Sequence, residues 1–183
     1  MKGIVFTEFL EMVENRFSPE IADRIIESSN LPSRGAYTSL GTYNHAEMVR
    51  LVSQLSAATG IAPPVLAHTF GKYLFGRFVA LYPQAFDGVD SSYALLEKVE
   101  GTIHVEVRKL YPDAELPRFQ CHISEPGQLT MIYSSPRGFA DLAGGLIEGC
   151  IEHFGEKIDV QKEDLSDGHG TSVRFSLRQQ EGP

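Results

Sequence analysis

The chain has 183 residues, 42% of them hydrophobic, and a formal charge of −8 from 16 basic and 24 acidic residues. This length favours one domain with a buried core. The acidic balance argues against a nucleic-acid partner, because nucleic acids select basic surfaces. The two cysteines, Cys121 and Cys150, are too few for a disulfide framework and do not have the spacing of a zinc site. With no secretory signal and no apolar run of about 18 residues, we expect a cytoplasmic protein without membrane insertion.

The part of the chain before Pro112 is predicted to be helical. Apolar residues recur there at helical spacing. Residues of the N-cap type, prolines at first helical positions and a closing glycine mark the boundaries. These signals predict helices over 2–17, from Pro19 to the turn-rich segment 30–43, from Asn44 to about Gly60, from about Pro63 to Tyr82, and over roughly 91–111.

The pattern changes after Pro112 to strands that flank a single helix. The predicted elements are strands over 117–124 and 128–134, a helix over 137–154, and strands over 156–162 and 171–178. Helices followed by a β-β-α-β-β order are typical of an α+β fold. The sequence shows no internal repeat and no linker long enough to separate two independent domains.

His104 is the histidine with the most informative setting. It lies in the long predicted helix, at the edge of or within the apolar stripe, on the face that also carries Tyr93. A neutral imidazole in an apolar pocket suits haem iron, which takes a proximal histidine in many proteins. The alternative is a core histidine bonded to a backbone carbonyl. No cluster of carboxylates or thiolates nearby in the sequence favours zinc or non-haem iron.

Tyr133, Ser135 and Arg137 occupy every second position where the strand over 128–134 ends. Alternate residues of a strand point to the same side, so we expect their side chains to converge. Arginine presents a rigid fork that matches carboxylates, and each hydroxyl adds a donor, so the group suits an anion or two adjacent carboxylates. The alternative is that Arg137 pairs with a surface acid, Ser135 caps the following helix and Tyr133 packs in the core.

Further matches accompany His104 and the Tyr-x-Ser-x-Arg pattern. The chain opens with MKGIVF, Pro117 lies thirteen residues after His104, and GLIEG occupies 145–149. With these residues the sequence resembles, over essentially its whole length, the haem nitric oxide/oxygen-binding (H-NOX) family. This family also forms the haem domain of soluble guanylate cyclases. The resemblance implies a bacterial stand-alone member.

The resemblance implies a single domain over 1–183 with two subdomains. A helical subdomain covers about 1–62, an α+β subdomain with an antiparallel sheet covers about 63–183, and haem b (iron protoporphyrin IX) is clamped between them. His104 is implied as the axial ligand of the haem iron, and Tyr133, Ser135 and Arg137 are implied to bind the propionates. The implied haem pocket consists of Val5, Phe9, Leu74, Phe78, Pro117, Leu142 and Leu146.

Leu142 occupies the position at which family members that bind O₂ stably have a tyrosine. Leucine offers no hydrogen-bond donor, and the polarity of the distal pocket decides between O₂ and less polar gas ligands. The resemblance therefore implies that NO and CO bind at ferrous haem and that O₂ is excluded, unless Tyr73 supplies a hydroxyl. Some bacterial members carry a cysteine-rich zinc site where this chain has LSDGHGTSVRF, with His169 and no cysteine, so no zinc is expected.

The implied role is signalling, and we do not expect an enzyme. NO is expected to weaken the His104–iron bond, to let the haem relax toward planarity, and to shift the helical subdomain against the sheet. A partner that binds the two states differently carries such a signal, and the resemblance implies a separate histidine kinase or diguanylate cyclase. Two other functions stay open, namely a haem enzyme of the peroxidase or dioxygenase type and a haem-free interaction module.

Overall fold

The helices before residue 82 follow the predicted order. The computed structural model describes residues 1–180, and its first helices are α1 (Gly3–Arg16), α2 (Pro19–Ser28), α3 (His45–Thr59) and α4 (Pro63–Leu81). The Ser18 side chain caps α2 by accepting a hydrogen bond from the Ile21 amide. The Asn44 side chain accepts from the Ala46 amide at the start of α3, and Gly60 ends α3 with a left-handed φ of 74°. The capping signals in the sequence therefore set these boundaries.

The long helix predicted over 91–111 is wrong as one continuous α-helix. After a short 3-10 helix (Pro83–Phe86), the chain forms α5 (Ser92–Lys98), a π-helical turn (Val99–Ile103) and α6 (His104–Leu110). The His104 amide donates to the Val99 carbonyl, five residues back rather than four. Such a turn accommodates an extra residue within a helix, and it often occurs at functional sites. Hydrophobic spacing alone does not reveal it.

The second half of the chain confirms the predicted β-β-α-β-β order and the α+β class. The elements are β1 (Arg118–Glu125), β2 (Gln128–Ser134), α7 (Ala140–Phe154), β3 (Ile158–Asp164) and β4 (Ser172–Gln179). The four strands form one antiparallel sheet in the order β1-β2-β4-β3. Helix α7 begins at Ala140 rather than at 137, because the chain first turns through Gly138 with a left-handed φ of 65°.

Helices α4 and α7 pack at backbone contact distance. A Cβ atom added to Gly145 would lie 2.0 Å from the carbonyl oxygen of His68, and one added to Gly71 would lie 2.3 Å from that of Leu142. Only glycine permits this approach of the two backbones. The close packing holds Leu142 and Leu146, both partly buried, beside α4.

The buried side chains form two clusters that share α4. Phe70 and Leu74 pack with α1, α2 and α3 in the first cluster, whereas Phe75 packs with α5, α7 and one face of the sheet in the second. Because α4 belongs to both clusters, the subdomain boundary near residue 62 stays a prediction. Within residues 1–180, every helix is too short or too polar to cross a bilayer.

Candidate functional site

His104 is a nearly buried imidazole with one nitrogen engaged. It is the first residue of α6 and is 9% exposed. Its Nδ1 lies 3.1 Å from Oε2 of Glu100, whereas Nε2 makes no hydrogen bond within residues 1–180. Burial lowers the pKa of His104 below its ordinary value, although the Glu100 carboxylate opposes this effect. A neutral ring whose Nδ1 proton is accepted by a carboxylate leaves the Nε2 lone pair available to a metal. The structure does not show the backbone-carbonyl partner that the alternative reading required.

Glu100 is a functional candidate that the sequence analysis missed. Its Oε2 is also 3.2 Å from the Phe119 amide, and its Oε1 accepts from Nη2 of Arg108 at 3.0 Å. Partial burial opposes ionisation of Glu100, but the hydrogen bonds from Arg108, His104 and the Phe119 amide outweigh it and lower the pKa of the carboxyl. Glu100 is therefore an ionised acceptor at neutral pH. Its position four residues before His104 in a predicted helix was the available signal.

Tyr133, Ser135 and Arg137 come together at the turn after β2. Only Tyr133 lies in the strand, since β2 ends at Ser134, so the expected alternation of three strand residues is wrong. The Tyr133 hydroxyl accepts from the Phe139 amide at 3.1 Å, and the Ser135 hydroxyl accepts from the Arg137 amide at 3.3 Å. Burial raises the pKa of Tyr133, while hydrogen bonds from Ser135 and Phe139 and the charge of Arg137 oppose the rise. The turn after β2, rather than strand alternation, therefore brings these three side chains together.

The Arg137 guanidinium already holds one carboxylate. Its Nη1 donates to the carbonyl oxygen of Glu115 at 3.0 Å, and its Nη2 forms an ion pair with the Glu115 carboxylate. The amino group of Met1 is close, since burial and then the charge of Arg137 lower the pKa of that amino group. The start of α1 therefore lies beside the turn that carries Arg137, where donors of two parts of the chain converge.

One aromatic ring separates His104 from Tyr133. The Phe119 ring centroid lies 5.9 Å from that of His104 and 5.6 Å from that of Tyr133. Phe119 in β1 is also the register partner of Tyr133 in β2. The structure thus brings the candidate iron ligand and the candidate propionate-binding residues to neighbouring positions at the β1 side of the sheet.

The predicted pocket residues divide into three groups. Phe9 and Leu74 are buried in the first core cluster, and Pro117 lies in the segment between α6 and β1. The remaining four are partly buried and pack against that same cluster: Val5, Phe78, Leu142 and Leu146. The structure therefore gathers six of the seven residues around α1, α4 and α7.

The Tyr73 phenol lies among polar side chains of α1 and α4. Burial raises the pKa of Tyr73, the Glu11 charge adds to this, and a hydrogen bond with Asn15 and the charge of Arg77 oppose it. Because Asn15 and Glu11 lie on α1, the phenol is engaged at the α1–α4 contact.

The side chains fit a haem better than a metal bound by protein alone. Residues 1–180 contain no group of three or more His, Cys, Asp or Glu side chains that would hold a metal ion. A metal on Nε2 of His104 would thus need its remaining ligands from a prosthetic group, and a porphyrin supplies four. Arg137 and the hydroxyls of Tyr133 and Ser135 match the carboxylates that such a group carries.

Comparison with known proteins agrees with this fold. The model of the Haem-NO-binding family (HNOB) matches residues 2–162. The Fe(II) unliganded H-NOX protein from K. algicida is 40% identical with a TM-score of 0.93, over 100% of this chain and 98% of that chain. The IWP-051-bound H-NOX from Shewanella woodyi in the Fe(II)CO state is 38% identical with a TM-score of 0.84, over 98% and 95%. An H-NOX protein from S. oneidensis in the Fe(II)NO state is 25% identical with a TM-score of 0.91, over 99% and 100%.

Among curated protein sequences no match was found. The fold is nevertheless that of H-NOX proteins solved in the Fe(II)NO and Fe(II)CO ligation states. The chain belongs to the Haem-NO-binding, or H-NOX, family. Proteins of this family bind haem and serve as gas sensors rather than as enzymes.

Proposed function

We propose that this protein is a cytoplasmic sensor that binds NO and CO at ferrous haem b, excludes O₂, and signals to a separate protein, a histidine kinase or a diguanylate cyclase. The observation that carries the proposal is the state of His104. It is a buried imidazole whose Nδ1 lies 3.1 Å from Oε2 of Glu100 and whose Nε2 makes no hydrogen bond within residues 1–180. In a family of haem-based gas sensors, this arrangement suits the proximal ligand of the iron.

His104 would hold the iron through Nε2, and the turn after β2 would hold the propionates. Arg137 would donate from its guanidinium, and Ser135 and Tyr133 from their hydroxyls. When bound, haem would supply the iron that binds the gas. The exposed Glu115 carboxylate, which pairs with Arg137, would share or yield that position to a propionate. Val5, Phe78, Leu142 and Leu146 would provide the apolar wall.

Selectivity for NO and CO follows from the apolar surroundings of Leu142. A hydrogen-bond donor in the distal pocket would favour stable O₂ binding, whereas an apolar pocket would favour less polar gas ligands. Leu142 carries no donor, and the Tyr73 phenol is engaged near Asn15 and Glu11. We therefore infer exclusion of O₂. A distal wall without acid–base groups also disfavours a haem enzyme of the peroxidase or dioxygenase type.

The segment that carries His104 offers a path for the signal. Beyond α6, the Asp113 carboxylate accepts from the Thr42 hydroxyl at 2.8 Å and lies 3.5 Å from Nζ of Lys2. If His104 were released, α6 would be free to shift, and these contacts with the start of α1 would rearrange. A partner that recognises either arrangement would read it.

An absorption spectrum of the purified protein, with haem supplied during expression, tests the proposal. The expected result is a Soret band that shifts when NO or CO is added to the ferrous form and does not show a stable oxy form in air. Absence of a Soret band would favour the haem-free module, and turnover of peroxide would favour the enzyme. His104→Gly should require added imidazole for a stable haem complex and should uncouple NO from the partner.

A further inference from the structure

Glu100 is the hydrogen-bond acceptor for three groups, one of which is the His104 ring. Its Oε2 lies 3.1 Å from Nδ1 of His104 and 3.2 Å from the amide nitrogen of Phe119, and its Oε1 lies 3.0 Å from Nη2 of Arg108. The Glu100 side chain is 34% exposed, and that of His104 is 11% exposed. The carboxylate therefore connects the buried ring to β1 on one side and to an exposed arginine on the other.

The π-helical turn Val99–Ile103 sets this geometry. Its wider hydrogen bonding, from the His104 amide to the Val99 carbonyl, occurs at the turn that contains Glu100. Both Glu100 and His104 face β1, since the first bonds the Phe119 amide and the second lies against the Phe119 ring. A continuous α-helix would give the pair an ordinary i, i+4 spacing but not this local widening.

We propose that Glu100 is a positioning residue that accepts the Nδ1 proton of His104, holds the ring in the tautomer with Nε2 free for iron, and increases the electron donation of that nitrogen. The proposal rests on the proposed function, in which His104 binds the haem iron. Carboxylates that accept from a metal-bound histidine fix the ring orientation and raise its basicity. Arg108 withdraws charge from the other oxygen and so moderates this effect.

A merely structural role would predict different results. If Glu100 only ties the Val99–Ile103 turn to β1 through the Phe119 amide, its replacement should lower thermal stability and leave the His104–iron bond unchanged. If it positions His104, replacement should alter the vibration of that bond and the tautomer of the ring. The two readings are separated by measurements on His104 itself rather than by activity.

The first experiment compares Glu100→Gln with wild type and with Glu106→Gln. Glu106 is an exposed glutamate of α6 that pairs with Lys109, so its replacement removes the same charge without touching His104. In the ferrous haem protein, resonance Raman spectroscopy should show the iron–histidine stretching band of Glu100→Gln at lower frequency. NO should break the His104–iron bond on the order of 10-fold more readily, as read from the Soret band. Glu106→Gln should match wild type.

The second measurement needs no haem. Nitrogen NMR of the haem-free protein should show one His104 tautomer, protonated at Nδ1, in wild type and in Glu106→Gln. Glu100→Gln should populate the tautomer that is protonated at Nε2. An unchanged tautomer together with an unchanged iron–histidine band in Glu100→Gln overturns the positioning role.

Arg108→Gln supplies a test of opposite sign that does not depend on folding of the Glu100 variant. Arg108 is 42% exposed, and its removal leaves more charge on Glu100 to share with His104. The iron–histidine band should move to higher frequency, and a band that stays in place or falls contradicts the proposal.

If wild-type protein binds haem but shows no iron–histidine band at all, His104 is not the ligand, and the proposed function fails first. That result differs from the case in which wild type shows the iron–histidine band and neither variant shifts it.

Discussion

Arg137→Ala tests whether the turn after β2 anchors haem propionates. The Arg137 side chain is 12% exposed and is paired with Glu115, whose own side chain is 81% exposed. Water screens such a pair, which contributes about 0–1 kcal/mol. A propionate would therefore displace Glu115 from Arg137, or bind Arg137 together with it, at little cost in free energy.

The expected loss of haem affinity follows from the difference between a propionate and Glu115 as partners of Arg137. A hydrogen bond from a charged group contributes about 1.5–3 kcal/mol. After subtraction of the weak Glu115 pair, loss of Arg137 should reduce haem binding by about 1–2 kcal/mol, which is roughly a 10-fold increase in the haem dissociation constant. Gas selectivity should not change, because Arg137 does not belong to the apolar cluster around Leu142.

The assay is the rate of haem transfer to an excess of apomyoglobin, followed by the Soret band. Arg118→Ala is the matched control, since Arg118 is an exposed arginine of β1 in the same sheet. We expect faster transfer from Arg137→Ala and wild-type transfer from Arg118→Ala, with the same ferrous spectrum in air for all three. Equal transfer rates for Arg137→Ala and wild type would refute the anchoring role. Equally faster transfer from Arg137→Ala and Arg118→Ala would show only a general effect of positive charge on haem binding.

Three further predictions concern single residues. Leu142→Tyr should add a donor to the apolar wall and give a stable ferrous oxy spectrum in air, which wild type should lack. Gly145→Ala should destabilise the fold by about 3 kcal/mol in thermal denaturation, because its Cβ would lie 2.0 Å from the His68 carbonyl oxygen. Gly76→Ala in α4 is its control, since no atom lies within 4 Å of the added Cβ, and it should stabilise by about 1 kcal/mol. Burial raises the pKa of Cys150 to about 12, so at pH 8 a thiol reagent should modify Cys150 only as fast as the protein unfolds.

The sequence predicted most of the architecture because its boundary signals are local. Ser18 and Asn44 are the capping residues directly before α2 and α3, and Gly60 ends α3. The β2 strand has the predicted bounds, Gln128–Ser134. Each of these signals acts through hydrogen bonds or backbone conformation within a few residues, so the fold around them does not have to be known.

The site was harder to predict because its geometry depends on contacts distant in sequence. The π-helical turn before His104 has no hydrophobic signature, and the role of Glu100 emerges only when the Phe119 amide is brought to its carboxylate. The pairing of Arg137 with Glu115 likewise joins residues of two separate segments. Residue types and spacing predicted which side chains would form the site, but not which oxygen each nitrogen faces.

Helices α1 to α4 are connected to the rest of the protein in two places, which differ in how easily they would move during signalling. Along α4 and α7 the backbones are in contact at Gly71 and Gly145, so any relative movement there meets immediate steric resistance. On the α6 side, the connection includes Asp113 with Thr42 and Lys2, and the Asp113 side chain is 59% exposed. Exposed pairs of this kind contribute about 0–1 kcal/mol and rearrange readily. A change in the bond at His104 would therefore move α6 against the start of α1 while α4 and α7 stay fixed.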